Sequence, residues 1–433
     1  MRILSFTGGA GTMYCGSCLR DNALAAELLR RGHEVVLTPV YTPTRTDERN
    51  VSGQQVFFGG ISVYLQQHSA LFRRLPKFLD RLWDSDWALR LATKRQIQVD
   101  PKSLGEMTVS MLKGEHGFQR KEIGKLLDWL KQERRFDIIN LPYSLLLGLA
   151  EPLKRALNVP IVCTLQGDDL FLDGLGEPYR QQAFELIGAA AAHVDLFLPV
   201  SQYYFEYMAG YLGVPPSRMR LVPLGINLEG YSIRPPERTG PFTVGYLARI
   251  APEKGLHVLA EAYCTFRSGG GEPARLLAAG FLPPEHAGYL ESVRVTLRDA
   301  GLEREFEYRG ELDRPAKIAF LRELDVFSVP TTYQEPKGLF LLEAMACGVP
   351  AVQPRVGAFP EIIGKTGGGL VVEPNGKALA QGMRVLRDDA ARARELGLAG
   401  AAGVREHYTV AHMAETAEAV FLEVVKSAGG GEA

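Results

Sequence analysis

Cysteine is scarce: Cys15, Cys18, Cys163, Cys264 and Cys347 are thinly spread along 433 residues, and their number is odd. That usage argues against a disulfide framework and fits a reducing compartment. An excess of either charge sign is also missing. Lys and Arg total 49 against 50 Asp and Glu, a formal net charge of −1, so the global basicity of a nucleic-acid binder is absent and no nucleic-acid partner is expected. Long apolar runs are lacking too. None approaches the roughly 20 residues needed to cross a bilayer. The opening Met1 to Gly9 is a short apolar run ending in a glycine turn, without the longer core and cleavage site of a signal peptide. The expected location is cytoplasmic, with room for peripheral contact with a membrane surface.

What is present is ordinary globular composition, 46% apolar and 23% charged. The length exceeds what one hydrophobic core usually serves, so two domains of roughly 200 residues each are expected. Arg2 to Phe6 reads as a buried strand. A glycine-rich turn follows, then a helix with Leu24, Ala25, Leu28 and Leu29 as its apolar stripe, ended by Gly32, and a second strand from His33 to Thr38. This is a βαβ unit of Rossmann type. The layout returns at Phe242 to Tyr246, where the loop Ala248 to Gly255 leads into a helix with Leu256, Leu259, Ala260 and Tyr263 at i, i+3, i+4 and i+7.

Further strands are expected at 137–140, 161–165, 196–200, 276–279, 306–308, 326–329 and 351–353, separated mostly by helical segments. Alternation of this kind predicts an α/β chain of two doubly wound parallel-sheet domains. Prolines and glycines crowd together between Pro223 and Gly240, which places the boundary at 1–228 and 229–408. Residues 43–125 read as a helical insertion with a basic, aromatic stretch from Leu71 to Phe78. This stretch suits either an amphipathic surface or ordinary packing. Ser427 to Ala433 reads as a disordered tail.

The strongest chemical signal is Glu335-Pro336-Lys337-Gly338-Leu339-Phe340-Leu341-Leu342-Glu343-Ala344-Met345-Ala346-Cys347-Gly348-Val349-Pro350. Pro336 and Gly338 suit a turn, and the residues after them suit a helix. Glu335 then precedes the helix and Glu343 lies about five residues inside it, roughly 7 Å along the axis. Between them sit unpaired helix amides, a ready anion site. Carboxylate, phosphate cradle and carboxylate match sugar, diphosphate and ribose, because carboxylates accept hydrogen bonds from hydroxyls. The plainer alternative is two solvated carboxylates flanking a core helix. Against it, Glu343 stands between Leu342 and Ala344 in a buried-looking segment, where it needs a ligand or an internal partner.

The second signal is Arg249-Ile250-Ala251-Pro252-Glu253-Lys254-Gly255, directly after a strand end. Ligands of open α/β sheets bind there. Two cations at that place can neutralise a diphosphate leaving group without metal. A surface salt bridge of Glu253 with a neighbouring cation is the equal alternative.

Together the two motifs resemble glycosyltransferase family 4, whose GT-B fold sets two Rossmann-like domains face to face across a cleft. Further matching pieces are Leu29-Arg30-Arg31-Gly32-His33-Glu34-Val35, Pro199-Val200-Ser201, Val222-Pro223-Leu224-Gly225-Ile226-Asn227 and Val356-Gly357-Ala358-Phe359-Pro360-Glu361. The resemblance runs from Arg2 to the final helix, apart from 43–125. It implies a retaining, metal-independent transfer, of hexosyltransferase type, from a nucleoside diphosphate sugar to an acceptor hydroxyl. The nucleotide sugar is substrate and no cofactor is expected; the acceptor is a glycan, a lipid or a small molecule.

By the same resemblance, Glu335 contacts the sugar hydroxyls and Glu343 the ribose. Arg249 and Lys254 hold the diphosphate, helped by backbone near Gly338, Leu339 and Phe340, and these two cations with Glu335 carry the catalysis. Gly280 and Gly310-Glu311-Leu312 lie near the base, and the helix 409–426 crosses back to the N-terminal domain. Gly16 belongs to the donor side, while Asn22, Gln166 and Asp168 form the acceptor side. Four positions depart from the family: Leu224 replaces a frequent asparagine, Lys337 an aromatic and Gln166 a histidine, and Cys15-Gly16 stands where a glycine pair is usual. Two rivals stay open, a non-catalytic nucleotide-sugar-binding protein and another GT-B enzyme such as a phosphorylase or epimerase. Cys15-Gly16-Ser17-Cys18 is read as packing rather than redox chemistry, Asp84-Ser85-Asp86 as a turn rather than a metal pair, and His68, His116, His286, His407 and His412 as structural.

Overall fold

The computed structural model of the chain describes residues 1–11, 13–53, 55–59, 63, 66–67, 101–234, 240–268 and 272–429. The expectations placed on Leu71 to Phe78, on Asp84-Ser85-Asp86 and on His68 lie outside the described residues. The chain divides into two compact units, Met1–Val200 with Tyr204–Val222 and Ala414–Ala433, and Ser201–Tyr203 with Pro223–Met413. Among the described residues no helix is long and apolar enough to cross a membrane.

The first unit runs β1 (Arg2–Thr7), α1 (Gly16–Arg30), β2 (Glu34–Pro39), α2 (Pro101–Leu112), α3 (Arg120–Leu130), β3 (Ile138–Leu141), α4 (Ala150–Leu157), β4 (Ile161–Leu165), α5 (Asp169–Asp173), α6 (Tyr179–Ala190), β5 (Leu196–Pro199) and α7 (Gln202–Leu212), the last from Tyr204 onward. Its sheet has the order β2-β1-β3-β4-β5, parallel throughout. Every residue of β3 and β4 is buried. Such continuous apolar strands arise because helices cover both faces of a parallel sheet. The last helix of the chain joins this unit from Ala414, where Arg31 pairs with Glu418 at 2.6 Å and Arg220 with Glu423 at 2.7 Å.

The second unit runs β6 (Phe242–Leu247), α8 (Leu256–Ser268), β7 (Ala274–Ala279), α9 (Ala287–Asp299), β8 (Phe306–Tyr308), α10 (Arg314–Arg322), β9 (Val326–Phe327), α11 (Leu339–Ala346), β10 (Ala351–Pro354), α12 (Phe359–Thr366), β11 (Gly369–Val372), α13 (Gly376–Asp388), α14 (Ala390–His407) and the start of α15 (Val410–Gly429). Its order is β11-β10-β9-β6-β7-β8, again parallel. The chain leaves β6 toward β7 and β8 on one side, then returns to β9 on the other. The switch point therefore lies between β6 and β9, and the loops after those strands flank the crevice where open α/β sheets bind ligands.

Several sequence expectations are corrected. Leu29 is 38% exposed and is not part of the α1 core stripe. Residues 101–125 are no insertion: α2 packs on α6, and α3 is the crossover helix into β3, with Ile123, Leu126, Leu127 and Leu130 buried at i, i+3, i+4 and i+7. The strand at 326–329 stops at Phe327, because the amide of Val329 donates to the Gln353 side chain rather than to a strand neighbour. β11 was missed, since its glycine-rich approach reads as a turn. The tail is helical as far as Gly429.

Leu126→Ala tests this placement of α3. Leu126 is fully buried, so its truncation is expected to cost about 2–5 kcal/mol in urea unfolding. A cost under about 0.5 kcal/mol, the ordinary surface value, would contradict the packing of α3 into the core.

Candidate active site

The loop leaving β6 folds into one tight turn, Pro252–Lys254, and ends at Gly255 in the left-handed region, φ 74°. A Cβ at Gly255 would lie 1.9 Å from the carbonyl oxygen of Pro330. Only glycine lets this loop press against the chain leaving β9. Thr332 N–H donates to Glu253 O at 2.9 Å, so the two loops are also joined backbone to backbone.

That seam carries Lys254 to Glu335. Lys254 Nζ donates to Glu335 Oε2 at 2.6 Å, and Tyr333 OH donates to the same oxygen at 2.5 Å. The ammonium also lies 2.5 Å from Tyr333 OH and faces the Tyr333 and Phe340 rings at 4.8 and 5.8 Å. Among the described residues, Oε1 of Glu335 accepts the Lys337 amide alone, at 3.2 Å. Glu335 is 2% exposed. Burial acts to raise its carboxyl, but Lys254 and Tyr333 outweigh that and bring it down to about 2. Its backbone is gripped as well. Ala358 N–H donates to Glu335 O at 2.8 Å, and a Cβ on Gly357 would stand 2.2 Å from that oxygen.

Arg249 sits at the mouth of the same loop and ion-pairs with Glu253. The salt bridge kept open as an alternative is thus formed. Arg249 is also 38% exposed at its side chain, so a ligand can compete for it.

α11 opens at Gly338, φ 79°, without a side-chain cap. The amides of Leu341 and Leu342 return to Gly338 O at 2.9 and 3.3 Å. Those of Leu339 and Phe340 have no hydrogen-bond partner among the described residues, which leaves an anion-attracting helix end beside Lys254. Glu343 is the fifth residue of α11. It has the internal partner its burial demanded: Lys317 Nζ at 2.5 Å and Tyr231 OH at 3.0 Å, both on Oε1. Gly280 closes β7 with φ 137°, and a Cβ there would meet Ala248 O at 1.9 Å, so the β7 loop lies against the start of the Arg249 loop. Leu312 is half-buried just before Asp313, the N-cap of α10. All of these come from chain leaving the carboxyl ends of neighbouring strands of one sheet.

The residues placed on the acceptor side, with Gly16, belong to the first unit. Gly16 opens α1 behind the uncapping Cys15. Asn22 is fully buried, and its amide is taken up structurally, donating to Arg49 O at 3.0 Å and accepting from Val51 N–H at 2.9 Å. Gln166 and Asp168 meet near the carboxyl end of β4. Gln166 Nε2 donates to Pro142 O at 3.0 Å and to Asp21 at 3.2 Å, while Asp168 accepts the Ser144 amide at 2.6 Å. Burial pushes the Asp168 carboxyl up to about 6 and raises that of Asp21 as well. Among the described residues no three His, Cys, Asp or Glu side chains gather as a metal ion would need.

Sequence reading missed Tyr333, Lys317, Tyr231 and Asp21. Tyr333 stands two residues before Glu335 and was within reach of the motif. Lys317 and Tyr231 lie 26 and 112 residues from Glu343, and no local signal joins them to it.

Two family models match the chain, Glycosyltransferase Family 4 over residues 108–229 and Glycosyl transferases group 1 over residues 231–401. Between them the two matches make the chain similar to the group 1 glycosyltransferases over parts of both units. The family 4 match begins inside the segment that sequence reading had set apart, in keeping with α2 and α3 as regular elements of the first unit. The phosphatidyl-myo-inositol mannosyltransferase of Mycobacterium leprae is 32% identical over 194 residues, 43% of this chain and 49% of the relative. The chain spans about half the length of the first curated relatives it matches. Among solved structures, the sucrose-phosphate synthase of Thermosynechococcus elongatus aligns with a TM-score of 0.72 at 17% identity, covering 98% of this chain and 99% of that one. Anabaena HepE in complex with UDP aligns with a TM-score of 0.68 at 16% identity, covering 98% of this chain and 100% of that one. The fold is GT-B.

Two outcomes follow from the buried carboxylates. Lys254→Ala strands Glu335 without its cation, and is expected to cost about 3–5 kcal/mol in urea unfolding followed by circular dichroism. Adding Glu335→Gln should recover part of that loss; no recovery would deny the pair its structural role. For Asp168, the carboxyl is raised in the fold, so its contribution is complete below the usual 3.8 and lost as pH rises through about 6. Between pH 4 and pH 8 wild type should therefore lose about 3 kcal/mol relative to Asp168→Asn. A pH-independent difference would contradict the assignment.

Proposed function

We propose that this chain is a retaining glycosyltransferase, transferring a sugar from a nucleoside diphosphate sugar to an acceptor hydroxyl without a metal ion. The observation that carries the reading is Lys254 held on Glu335 beside the uncapped start of α11, at the switch point of the second sheet.

The diphosphate lies against the amides of Leu339 and Phe340, with Lys254 and Arg249 supplying positive charge. Arg249 turns from Glu253 to the phosphate. Glu335 Oε2 is committed to Lys254 and Tyr333, so Oε1 is the oxygen that accepts from the sugar hydroxyls. Glu343 takes the ribose, and the chain around Gly280 and Leu312 borders the base. In the transfer, the bond from the anomeric carbon to the phosphate oxygen breaks and a bond from the acceptor oxygen forms on the same face. The acceptor proton passes to the departing phosphate, whose growing charge Arg249 and Lys254 stabilise. No side chain need act as nucleophile. Of the residues in the first unit, Gly16 is assigned to the donor and Asn22, Gln166 and Asp168 to the acceptor, with Asn22 acting through the 49–51 loop it secures.

HepE is described with UDP, and the mycobacterial relative is named for transfer to a phosphatidyl-inositol. Uridine and guanosine diphosphate sugars are the first donors to try. A glycan, lipid or small-molecule acceptor suits a cytoplasmic enzyme that meets membranes only peripherally.

The test is a panel of UDP, GDP and ADP sugars, read as nucleotide release with and without EDTA and as product anomer by NMR. Lys254→Ala should lose about 2–4 kcal/mol of transition-state stabilisation, roughly 30- to 1,000-fold in kcat/KM. Binding without turnover of any donor would favour the non-catalytic alternative. Equal turnover in variant and wild type would remove Lys254 from the mechanism.

A further inference from the structure

Each glutamate of the α11 motif is held through one carboxylate oxygen by a lysine and a tyrosine. For Glu335 the pair is Lys254 and Tyr333, both on Oε2. For Glu343 it is Lys317 and Tyr231, both on Oε1. The second pair lies outside every motif the sequence offered. Lys317 stands on α10 with its side chain only 8% exposed. One turn earlier on the same helix, Arg314 covers the Tyr231 ring at 5.1 Å and donates to Asn227 O and Glu229 O at 2.7 and 2.9 Å. A single face of α10 thus secures both the 227–231 loop and the Glu343 carboxylate. No described residue donates to Glu343 Oε2.

We infer that Lys317 and Tyr231 are positioning residues that aim Glu343 Oε2 at one ribose hydroxyl of the nucleotide. The inference rests on the donor-site reading above. A glutamate side chain has several rotatable bonds, and two donors fixed on one oxygen remove most of that freedom before a ligand arrives. With a single oxygen presented, one hydroxyl of the ribose diol carries most of the recognition, because a site built to bond a hydroxyl strongly rejects the analogue lacking it.

The experiment uses calorimetric binding of UDP and GDP, each beside its 2′-deoxy and 3′-deoxy forms, to the full chain. Wild type is expected to bind the ribonucleotide more tightly than one of its two deoxy forms. Lys317→Met and Tyr231→Phe should each shrink that preference at least about threefold, the scale of one weakened hydrogen bond. Tyr231→Phe keeps the ring beneath Arg314, so it serves if Lys317→Met folds poorly. A general structural role would weaken ribo- and deoxynucleotides alike and leave their ratio unchanged. An unchanged ratio in both variants, or a wild type indifferent to both hydroxyls, overturns the inference while leaving nucleotide binding intact. A wild type that binds neither UDP nor GDP overturns the donor-site reading itself, and this inference with it.

Discussion

The loop seam at the second sheet's switch point depends on one buried ion pair. Lys254 arrives on the loop after β6 and Glu335 on the chain after β9, and the 2.6 Å contact between them closes the seam at the sheet's switch point. A glutamate 2% exposed is tolerated only because a cation, a phenol and an amide share its two oxygens. The same contact holds a positive charge beside the start of α11. Lys254 therefore both neutralises a buried carboxylate and sets the charge at that helix end.

Backbone shape is as important here as charge. Gly255 and Gly357 press against Pro330 O and Glu335 O at distances no Cβ would permit. These close approaches draw together the loops that follow β6, β9 and β10. The two Lys–Tyr clamps then fix the direction of the motif's carboxylates, and no described residue donates to the second oxygen of Glu343. Preorganisation of this kind lowers the ordering cost on binding and favours interactions that strengthen as charge develops.

The first unit uses buried polar groups differently. Asp21, Gln166 and Asp168 are linked to one another or to nearby backbone, and burial raises both carboxyls. Gln166, standing where a family histidine is usual, is engaged with Asp21 and Pro142 O. The Asn22 side-chain amide ties down the 49–51 loop.

The α/β class, the strands of both sheets except β11, and the Glu335–Glu343 helix were legible in sequence because each is written in local periodicity and turn residues within about 20 positions. The spacing of the two glutamates and the uncapped glycine between them likewise needed nothing beyond the segment itself. Tertiary structure decided the rest. It brought Lys254 onto Glu335 across 81 residues and Lys317 and Tyr231 onto Glu343, and made α3 a crossover helix. Which polar groups pair depends on strand order and on where crossovers return the chain. Those are set by the packing of whole sheets and helices, which no short stretch of sequence encodes.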